Sequence, residues 1–487
     1  MSAGRFYIIL FLLFFPLVAL NAQYFGKNKP SYRTFDFDRV QTAHFDVYHE
    51  MDDTASVRYF CNLAEQWYRF HRQVLVDTFS RRNPIILYRN HADFQQTNAV
   101  MGHIGVGTGG VTEGLKRRVV MPLAFSDYQT AHVLGHELVH AFQYHMIREE
   151  ADLDRGAILR IPLWMTEGMA EYLSVGNIDA HTALWLRDAL LHKNFPSFEE
   201  MDRGAKLSPY RFGHAFWSYI ASHYGEQYIK RLFLSTARQG YEEAMREMLG
   251  KEPDSLSRAW QENLRGTLNI TESHHPDTSA QPFLTRQNAG KYNLTPSVSP
   301  DGEYLVFLSE RDVYSIDLFL ADAGTGKILS KVYSNNHYSD IDALDFTASS
   351  GTWSPDSRYF AFTAYKKGRT VILVYDIQKE EISRTIAPRE VVAIANPAWS
   401  PQGDKMVFSG LKDGQSDLYC YHLTDHTCEA YTRDGYSQLQ PAWSPDGEKV
   451  WYATDQQAPG QVFQNPGFTN IGTYHLGSGE IEIFHTF

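Results

Sequence analysis

Residues 133–145, VLGHELVHAFQYH, place three histidines and one glutamate in an otherwise apolar stretch. In a helix, His136 and His140 project from one face about one turn apart, which is the separation that two imidazoles need to bind one zinc ion. Glu137 follows the first histidine, where its carboxylate can accept the proton of an attacking water. The HExxH spacing also arises by chance. The apolar setting favours a metal site, because buried polar groups need partners.

A zinc site of this kind needs a third protein ligand. His145 is unsuitable, because five residues place it about 140° around the helix from His140. Glu167 in PLWMTEGMAEYL, at the start of a second predicted helix, is the better candidate. Glu171, one turn later on the same face, can accept the free ring N–H of a ligand histidine. The alternative is that both glutamates belong to a solvated helix face.

Strands and helices must position these residues. From about 34 to 123, strand-like runs (HFDVYHE, NPIILYRN, RRVVMPLA) alternate with one helical stretch, and from about 127 to 268 nearly every segment has helical period. We expect one compact domain with an α/β part to about 126 and a helical part at 127–268. RRVVMPLA is expected to form the substrate-facing edge of the sheet.

The rest of the chain contains a repeat. A Ser-Pro step recurs at 299, 354, 400 and 444, and strand-like residues follow each one. A period of about 40–50 residues with strands and no helices is typical of propeller blades, and Pro, Asp and Gly suit the turn that precedes each strand. Residues 285–487 hold about four blades, at the lower limit of the roughly 4 to 8 that closed propellers need. We therefore expect an incomplete arc, the alternative being a closed four-bladed ring.

The ends of the chain and its charge indicate the environment. Residues 1–22, with Arg5 ahead of an apolar run, are predicted to be a secretory signal, which implies a periplasmic or extracellular protein. The remaining predicted divisions are a domain at 23–268, a linker at 269–284 and the repeats at 285–487. No later segment predicts a membrane span. A net charge of −12 without a basic run argues against nucleic acid as a partner.

HELVHAFQY followed by PLWMTEGMAEYL resembles the gluzincin peptidases, in particular the bacterial peptidase MA-like group, over about 44 to 225. The resemblance implies that zinc is bound by His136, His140 and Glu167. It also implies that Glu137 is general base and acid and that Glu171 orients a ligand. The repeats resemble the WD40-like repeats of TolB-like propellers. The predicted fold is multidomain α+β: a mixed sheet with a helical subdomain, then an all-β propeller.

Three further residues are candidates for substrate contacts. A gluzincin needs a donor, commonly Tyr or His, for the oxyanion of the tetrahedral intermediate. Tyr210 and His214, one helical turn apart, are the candidates, and helix packing is the alternative role for each. GGVTEG at 109–114 resembles the Gly-x-x-Glu-x element by which aminopeptidases of this superfamily bind a substrate amine, which implies that role for Glu113. A plain glycine-rich turn is the alternative there.

The leading hypothesis is an exported zinc metallopeptidase that acts on a peptide or protein substrate. The propeller would recruit or screen that substrate, and an envelope protein is one candidate for it. The alternative is an envelope binding or scaffolding protein with an inactive peptidase-like domain. The intact Glu137 favours the enzyme, because an inactive site would be free to lose its base. Endo- and exopeptidase action both stay open.

Overall fold

The computed structural model describes residues 29–154, 156–204, 208–270, 282–312, 316–333, 341–345, 351–456 and 470–484. The predicted signal at 1–22 lies outside these residues, as does most of the predicted linker at 269–284. The helices within the described ranges include none whose length and apolar character would suit a bilayer crossing.

A five-stranded mixed sheet forms one layer of the N-terminal region. Its strands, in chain order, are β1 (Asp38–Gln41), β2 (Phe45–His49), β3 (Asn83–Tyr88), β4 (Val111–Glu113) and β5 (Arg118–Pro122). They are arranged as β1-β2-β3-β5-β4, with β2, β3 and β5 parallel and an antiparallel strand at each edge. The prediction that RRVVMPLA forms the edge is wrong. β5 lies inside the sheet because the short strand β4 pairs with its other side.

Helices cover this sheet and continue beyond it. They are α1 (Thr54–Leu75), α2 (His91–Phe94), α3 (Asp127–Glu149), α4 (Leu163–Val175), α5 (Ala180–Leu191), α6 (Phe198–Asp202), α7 (Pro209–Tyr224), α8 (Gln227–Gln239), α9 (Tyr241–Leu249) and α10 (Pro253–Thr267). Helix α3 packs on β4 and β5 and also against α4. Sheet and helices share one hydrophobic core, which includes Phe45, Leu138 and Trp217.

Helix α3 carries the histidines and is buried along most of its length. It begins after Ser126, whose hydroxyl accepts from the backbone N–H of Gln129. Leu134, Leu138 and Phe142 are fully buried. The helix lies between the sheet and the later helices, so apolar residues are needed on more than one of its faces.

Helices α4 and α7 cross with their backbones in contact. A Cβ on Gly213 would lie 1.9 Å from the carbonyl oxygen of Trp164, and a Cβ on Gly168 would lie 2.2 Å from the backbone carbon of Gly213. No side chain larger than hydrogen fits at either position. This close approach brings the first turn of α7 beside the glutamates of α4.

The described residues of the C-terminal region form four antiparallel sheets in succession. Their strands are β6 (Asn293–Val298), β7 (Tyr304–Ser309), β8 (Asp317–Asp322) and β9 (Ile328–Tyr333) in blade one; β10 (Ala343–Leu344), β11 (Thr352–Trp353), β12 (Tyr359–Lys366), β13 (Arg369–Asp376) and β14 (Glu381–Ile386) in blade two; β15 (Ala393–Trp399), β16 (Lys405–Lys412), β17 (Gln415–His422) and β18 (Cys428–Ala430) in blade three; and β19 (Gln438–Trp443), β20 (Lys449–Thr454), β21 (Asn470–His475) and β22 (Ile481–Phe484) in blade four.

The repeated Ser-Pro step closes the same turn in every blade. The serine hydroxyl accepts from a backbone N–H five residues later at 2.9–3.0 Å, as Ser299 does from Tyr304. Because the bond is local, each copy of the motif starts a strand independently of the others.

Neighbouring blades are joined by tryptophans. Trp353 Nε1 donates to Ser297 O, and Trp443 Nε1 donates to Ala398 O, in each case from one blade to the blade before it. No strand pairing between the described residues joins the fourth sheet to the first. On the fourth sheet, three apolar side chains are 37–45% exposed, namely those of Trp451, Ile471 and Phe484. The incomplete arc stays a prediction.

Blades two and three contact the N-terminal region directly. Ser56 Oγ donates to the carbonyl oxygen of Asp413 at 2.7 Å, and Ser416 donates to the carbonyl oxygen of Phe125. The rings of His91 and Tyr365 lie 5.5 Å apart. The propeller region therefore faces the side of the sheet from which α3 begins.

Candidate metal centre

Side chains of α3 and α4 converge on one point. His136 Nε2 lies 3.2 Å from His140 Nε2 and 3.2 Å from Glu167 Oε2. His140 Nε2 lies 3.4 Å from the same carboxylate oxygen. Ligand atoms around a tetrahedral zinc ion with bonds of about 2.0–2.1 Å stand about 3.3–3.4 Å apart. The three atoms therefore have the separations that fit a zinc ion.

Hydrogen bonds orient both imidazole rings. His136 Nδ1 donates to Glu171 Oε1 at 3.1 Å, and His140 Nδ1 donates to Gln143 Oε1 at 2.9 Å. Gln143 is itself held, because its amide donates to the carbonyl oxygen of Thr166 at 2.9 Å. With Nδ1 as the donor, Nε2 of each ring presents its lone pair to the metal position. Sequence reasoning missed Gln143, although its place one turn after His140 was a usable signal.

Glu171 is the centre of a larger charged network. Arg211 Nη1 lies 3.2 Å from Glu171 Oε2 and 3.1 Å from Asp179 Oδ2, and His132 Nε2 lies 3.3 Å from Glu171 Oε1. Burial opposes ionisation of Glu171, but the close imidazoles of His132 and His136 outweigh it and hold the pKa of the carboxyl well below its ordinary value. His132 and Arg211 are not among the site residues predicted from the sequence. The four-residue step from His132 to His136 was the signal.

Hydrogen bonds within the cluster favour the charged forms of its side chains. Burial alone would lower the pKa of His136, but its hydrogen bonds to Glu167 and Glu171 raise it to about 10. Burial alone would raise the pKa of Glu167, and its hydrogen bonds to His136 and His140 lower it to about 2. The site thus combines anionic carboxylates with a proton on His136, and a metal cation can replace that proton.

Glu137 is held by the edge strand of the sheet. Its Oε2 accepts from Thr112 Oγ1 at 2.7 Å, and Glu137 is 5% exposed. A Cβ on Gly110 would lie 2.8 Å from Glu137 Cγ, so the backbone passes close to the carboxylate. Both contacts come from GGVTEG, a segment in which only Glu113 is predicted from the sequence to be a site residue. Thr112 and Gly110 are the residues there that contact Glu137.

Tyr210 lies beside the cluster at the start of α7. Its ring centroid is 6.0 Å from that of His136. Burial, together with the charges of Glu167, Glu137 and Glu171, raises the pKa of Tyr210 to about 12. The phenol therefore keeps its proton at neutral pH. Because the residue is 41% exposed, it is also accessible to a ligand.

Two other histidines face away from the cluster. His214 has one ring nitrogen 3.0 Å from Thr182 Oγ1 and the other 2.7 Å from the carbonyl oxygen of Gly176. Its suggested role as oxyanion donor is wrong, because both nitrogens are used in joining α7 to neighbouring elements. His145, rejected as a ligand on helical geometry, contacts Asp77 at 2.8 Å.

Glu113 is the last residue of the edge strand β4. Its carboxylate pairs with Arg118 at 2.6 Å across the β4–β5 ladder. Since side chains alternate along a strand, Glu113 and Thr112 point to opposite faces, and Thr112 is the one that reaches Glu137. The structure therefore does not bring Glu113 into the cluster.

Two family descriptions match parts of the chain. Residues 105–262 match a family described as a peptidase of plants and bacteria. Residues 345–471 match the TolB beta propeller domain. The first range contains every residue of the metal cluster, and the second spans much of blades two to four. The chain thus combines a C-terminal TolB-like propeller region with an N-terminal region similar to a peptidase family.

Solved structures resemble the chain over part of its length. TolB from Acinetobacter baumannii is 18% identical with a TM-score of 0.32, over 40% of this chain and 43% of that chain. A putative TolB from Agrobacterium tumefaciens is 20% identical with a TM-score of 0.33, over 41% of this chain and 67% of that chain. This chain therefore spans less than half of the first of these proteins. No curated protein matches it.

Proposed function

We propose that this chain is an exported zinc metallopeptidase of the gluzincin type. The observation that carries the proposal is the arrangement of His136 Nε2, His140 Nε2 and Glu167 Oε2, each 3.2–3.4 Å from the other two. The match of residues 105–262 to a peptidase family supports peptide-bond hydrolysis as the reaction. In this proposal 23–268 is the catalytic domain, 269–284 a linker and 285–487 a propeller that recruits or screens substrate.

A zinc ion held by His136, His140 and Glu167 would supply Lewis acidity at the scissile carbonyl and would make a water nucleophilic near neutral pH. The chain's own groups move the protons. Glu137 accepts the proton of the attacking water and then delivers it to the amine leaving group. Because Thr112 binds Oε2, the other carboxylate oxygen is the one presented for this transfer.

Tyr210 is the donor for the oxyanion that develops from the scissile carbonyl. Its pKa of about 12 keeps the phenol protonated at the pH at which Glu137 acts as a base. Donors placed in advance stabilise the developing charge without reorganisation. The ring of Tyr210, 6.0 Å from that of His136, lies next to the ligand set before substrate arrives.

The surrounding network keeps the ligands in place. Glu171 and Gln143 each accept an Nδ1 proton from one ligand histidine. Arg211 balances the charge of Glu171 at 3.2 Å. A buried carboxylate without such partners would tend to take up a proton and lose its hold on the ring.

Metal analysis and a peptide-library digest test the proposal. The purified full chain should contain about one zinc, and its cleavage of a diverse library should depend on the metal. Glu137→Gln should keep zinc and fold yet abolish hydrolysis, because the amide is nearly isosteric but does not carry the proton. Glu149→Gln, on the same helix with a side chain 55% exposed, is the matched control and should cleave normally. Failure of the zinc-loaded chain to cut any peptide, or full activity in Glu137→Gln, contradicts the proposal.

The second candidate is an envelope binding or scaffolding protein with an inactive peptidase-like region. The TolB-like match of 345–471 is the observation that favours it, since propellers present binding surfaces in many proteins. The same digest separates the two functions. Export rests on the apolar run within residues 1–22, and N-terminal sequencing of the mature protein tests it.

A further inference from the structure

A cavity of about 420 Å³ lies between the N-terminal region and the propeller. Pockets that bind small ligands are typically about 300–1,000 Å³. One wall comes from the segment leading into β4 and from α3, with Gly109, His132 and Val133 among its residues. The opposite wall comes from blades two to four, with Tyr365, Ala395 and Leu439 among its residues.

The cavity begins one helical turn from the metal cluster. His132, in its wall, is four residues before His136 and contacts Glu171 at 3.3 Å. A Cβ on Gly109 would lie 3.0 Å from Val133 Cγ2, and a Cβ on Gly110 would lie 2.8 Å from Glu137 Cγ. The edge of the sheet therefore runs directly from the cavity wall to Glu137.

One position of the repeat contributes to the propeller wall from two blades. In blades three and four a left-handed residue, Asn396 or Gln440, precedes a proline and interrupts the pairing of the first strand. This break in register places Ala395 and Leu439 in the cavity wall. Blade one has the same arrangement at Leu294, which is not among the residues that line the cavity.

The lining is mainly apolar. It includes Val106, Leu123 and Leu411 as well as the residues above. Asp345, which is 5% exposed, is the one carboxylate among the lining residues, and none of them is Lys, Arg or Glu. Burial lowers the pKa of His91, another lining residue, to about 4, so its ring is neutral at neutral pH. A charged side chain would lose hydration in this setting, whereas an apolar one would gain from leaving water.

We infer that this cavity binds an uncharged, mainly apolar side chain of the peptide substrate, and that the propeller supplies one wall of that pocket. The inference rests on the proposed peptidase function and adds the substrate class. A peptide lying along the edge strand with its scissile bond at Glu137 enters the cavity on one side of that bond only. Substrate preference at one position should therefore depend on propeller residues.

Substitutions at Leu439 test the pocket without touching the metal ligands or Glu137. The zinc-loaded full chain should prefer an uncharged apolar residue at one position on one side of the cleaved bond. Leu439→Trp narrows the cavity and should shift that preference toward small residues about tenfold in kcat/KM. Leu439→Ala widens it and should shift the preference toward larger residues. Leu294→Trp makes the same change at the equivalent position of blade one, where the side chain is 38% exposed. This control variant should keep the substrate preference of the wild type.

The outcomes separate the pocket from the peptidase function. If the wild type cleaves peptides but both Leu439 variants keep its profile, the pocket assignment is overturned and the peptidase proposal stands. A preference for a basic or acidic residue at the affected position overturns the substrate class. Absence of any cleavage by the wild type overturns both. Thermal melting of each variant identifies misfolding, and Leu439→Ala provides the readout if Leu439→Trp does not fold.

Discussion

The hydroxyl of Thr112 lies 2.7 Å from Glu137 Oε2 and 2.8 Å from the backbone oxygen of the same residue. Thr112 is on the edge strand and Glu137 is on α3, so this contact connects the proposed general base to the sheet. The edge of the sheet therefore orients the carboxylate that we propose transfers protons.

Removing that hydroxyl should slow the reaction without emptying the site. A hydrogen bond to a charged group contributes about 1.5–3 kcal/mol, so Thr112→Val should lower kcat about 10- to 100-fold while zinc content stays the same. Steady-state kinetics and metal analysis measure both quantities. Thr112→Ser keeps the hydroxyl and should keep most of the activity. A wild-type kcat in Thr112→Val would show that Glu137 does not need the edge strand.

The two glutamates of α4 should differ in their effect on metal binding. Glu167→Ala removes a ligand atom and should strip the metal. Glu171→Ala removes the partner of His136 Nδ1 and should weaken zinc affinity about 10- to 100-fold. Competition with a chelator measures both affinities. The roles are reversed if Glu171→Ala empties the site while Glu167→Ala leaves it full.

Tyr210→Phe should affect catalysis and leave the metal in place. Loss of one oxyanion donor lowers kcat about 10²- to 10³-fold in enzymes where it has been measured, and the phenol hydroxyl is the only group removed. Tyr219→Phe, on the same helix but 8% exposed within the core, serves as the control for the chemical change. Equal kcat values for Tyr210→Phe and the wild type would exclude the proposed role.

The crossing of α4 and α7 should be sensitive to a single methyl group. Gly213→Ala places a Cβ 1.9 Å from the Trp164 carbonyl oxygen, so the helices must separate. We expect a lower Tm and weaker zinc binding, because Tyr210 and Arg211 move away from α4 with their helix. Gly266→Ala meets no atom within 4 Å and should be neutral or stabilising by up to about 1 kcal/mol. Similar melting curves for both variants would contradict the close crossing.

Asp127, at the start of α3, should make stability depend on pH. Burial and the charge of Asp455 in the propeller raise its pKa from 3.8 to about 6. A raised acid pKa means that the folded state resists ionisation, so stability falls as pH rises from about 4 to 6 and stays lower above that.

Asp127→Asn should therefore raise Tm at pH 7.5 and change it little at pH 4. Asp188→Asn, whose side chain is 67% exposed, should leave Tm unchanged at both pH values. A drop in Tm for Asp127→Asn at pH 7.5 would show that its charge stabilises the fold.

Local sequence determined the parts of the site and of the fold that lie within one turn or one strand. Four residues make about one helical turn, so an apolar stretch with HExxH spacing puts His136, Glu137 and His140 side by side whatever the rest of the chain does. The strands of the propeller region were also predictable from local sequence. Each Ser-Pro turn is closed by a hydrogen bond to a residue five positions later, so every copy of the motif predicted its own strand.

The tertiary structure decided which distant residues meet this helix. Thr112 reaches Glu137 because β4 pairs with β5 at the edge, and strand order depends on long-range pairing that the sequence of one strand does not encode. Arg211 reaches Glu171 because two glycines let α4 and α7 approach. His214 shows the same limit. The residue pattern of its helix is the same whether the His214 ring faces a metal or, as here, Thr182. Only the packing of this helix against its neighbours decides which of the two the ring contacts.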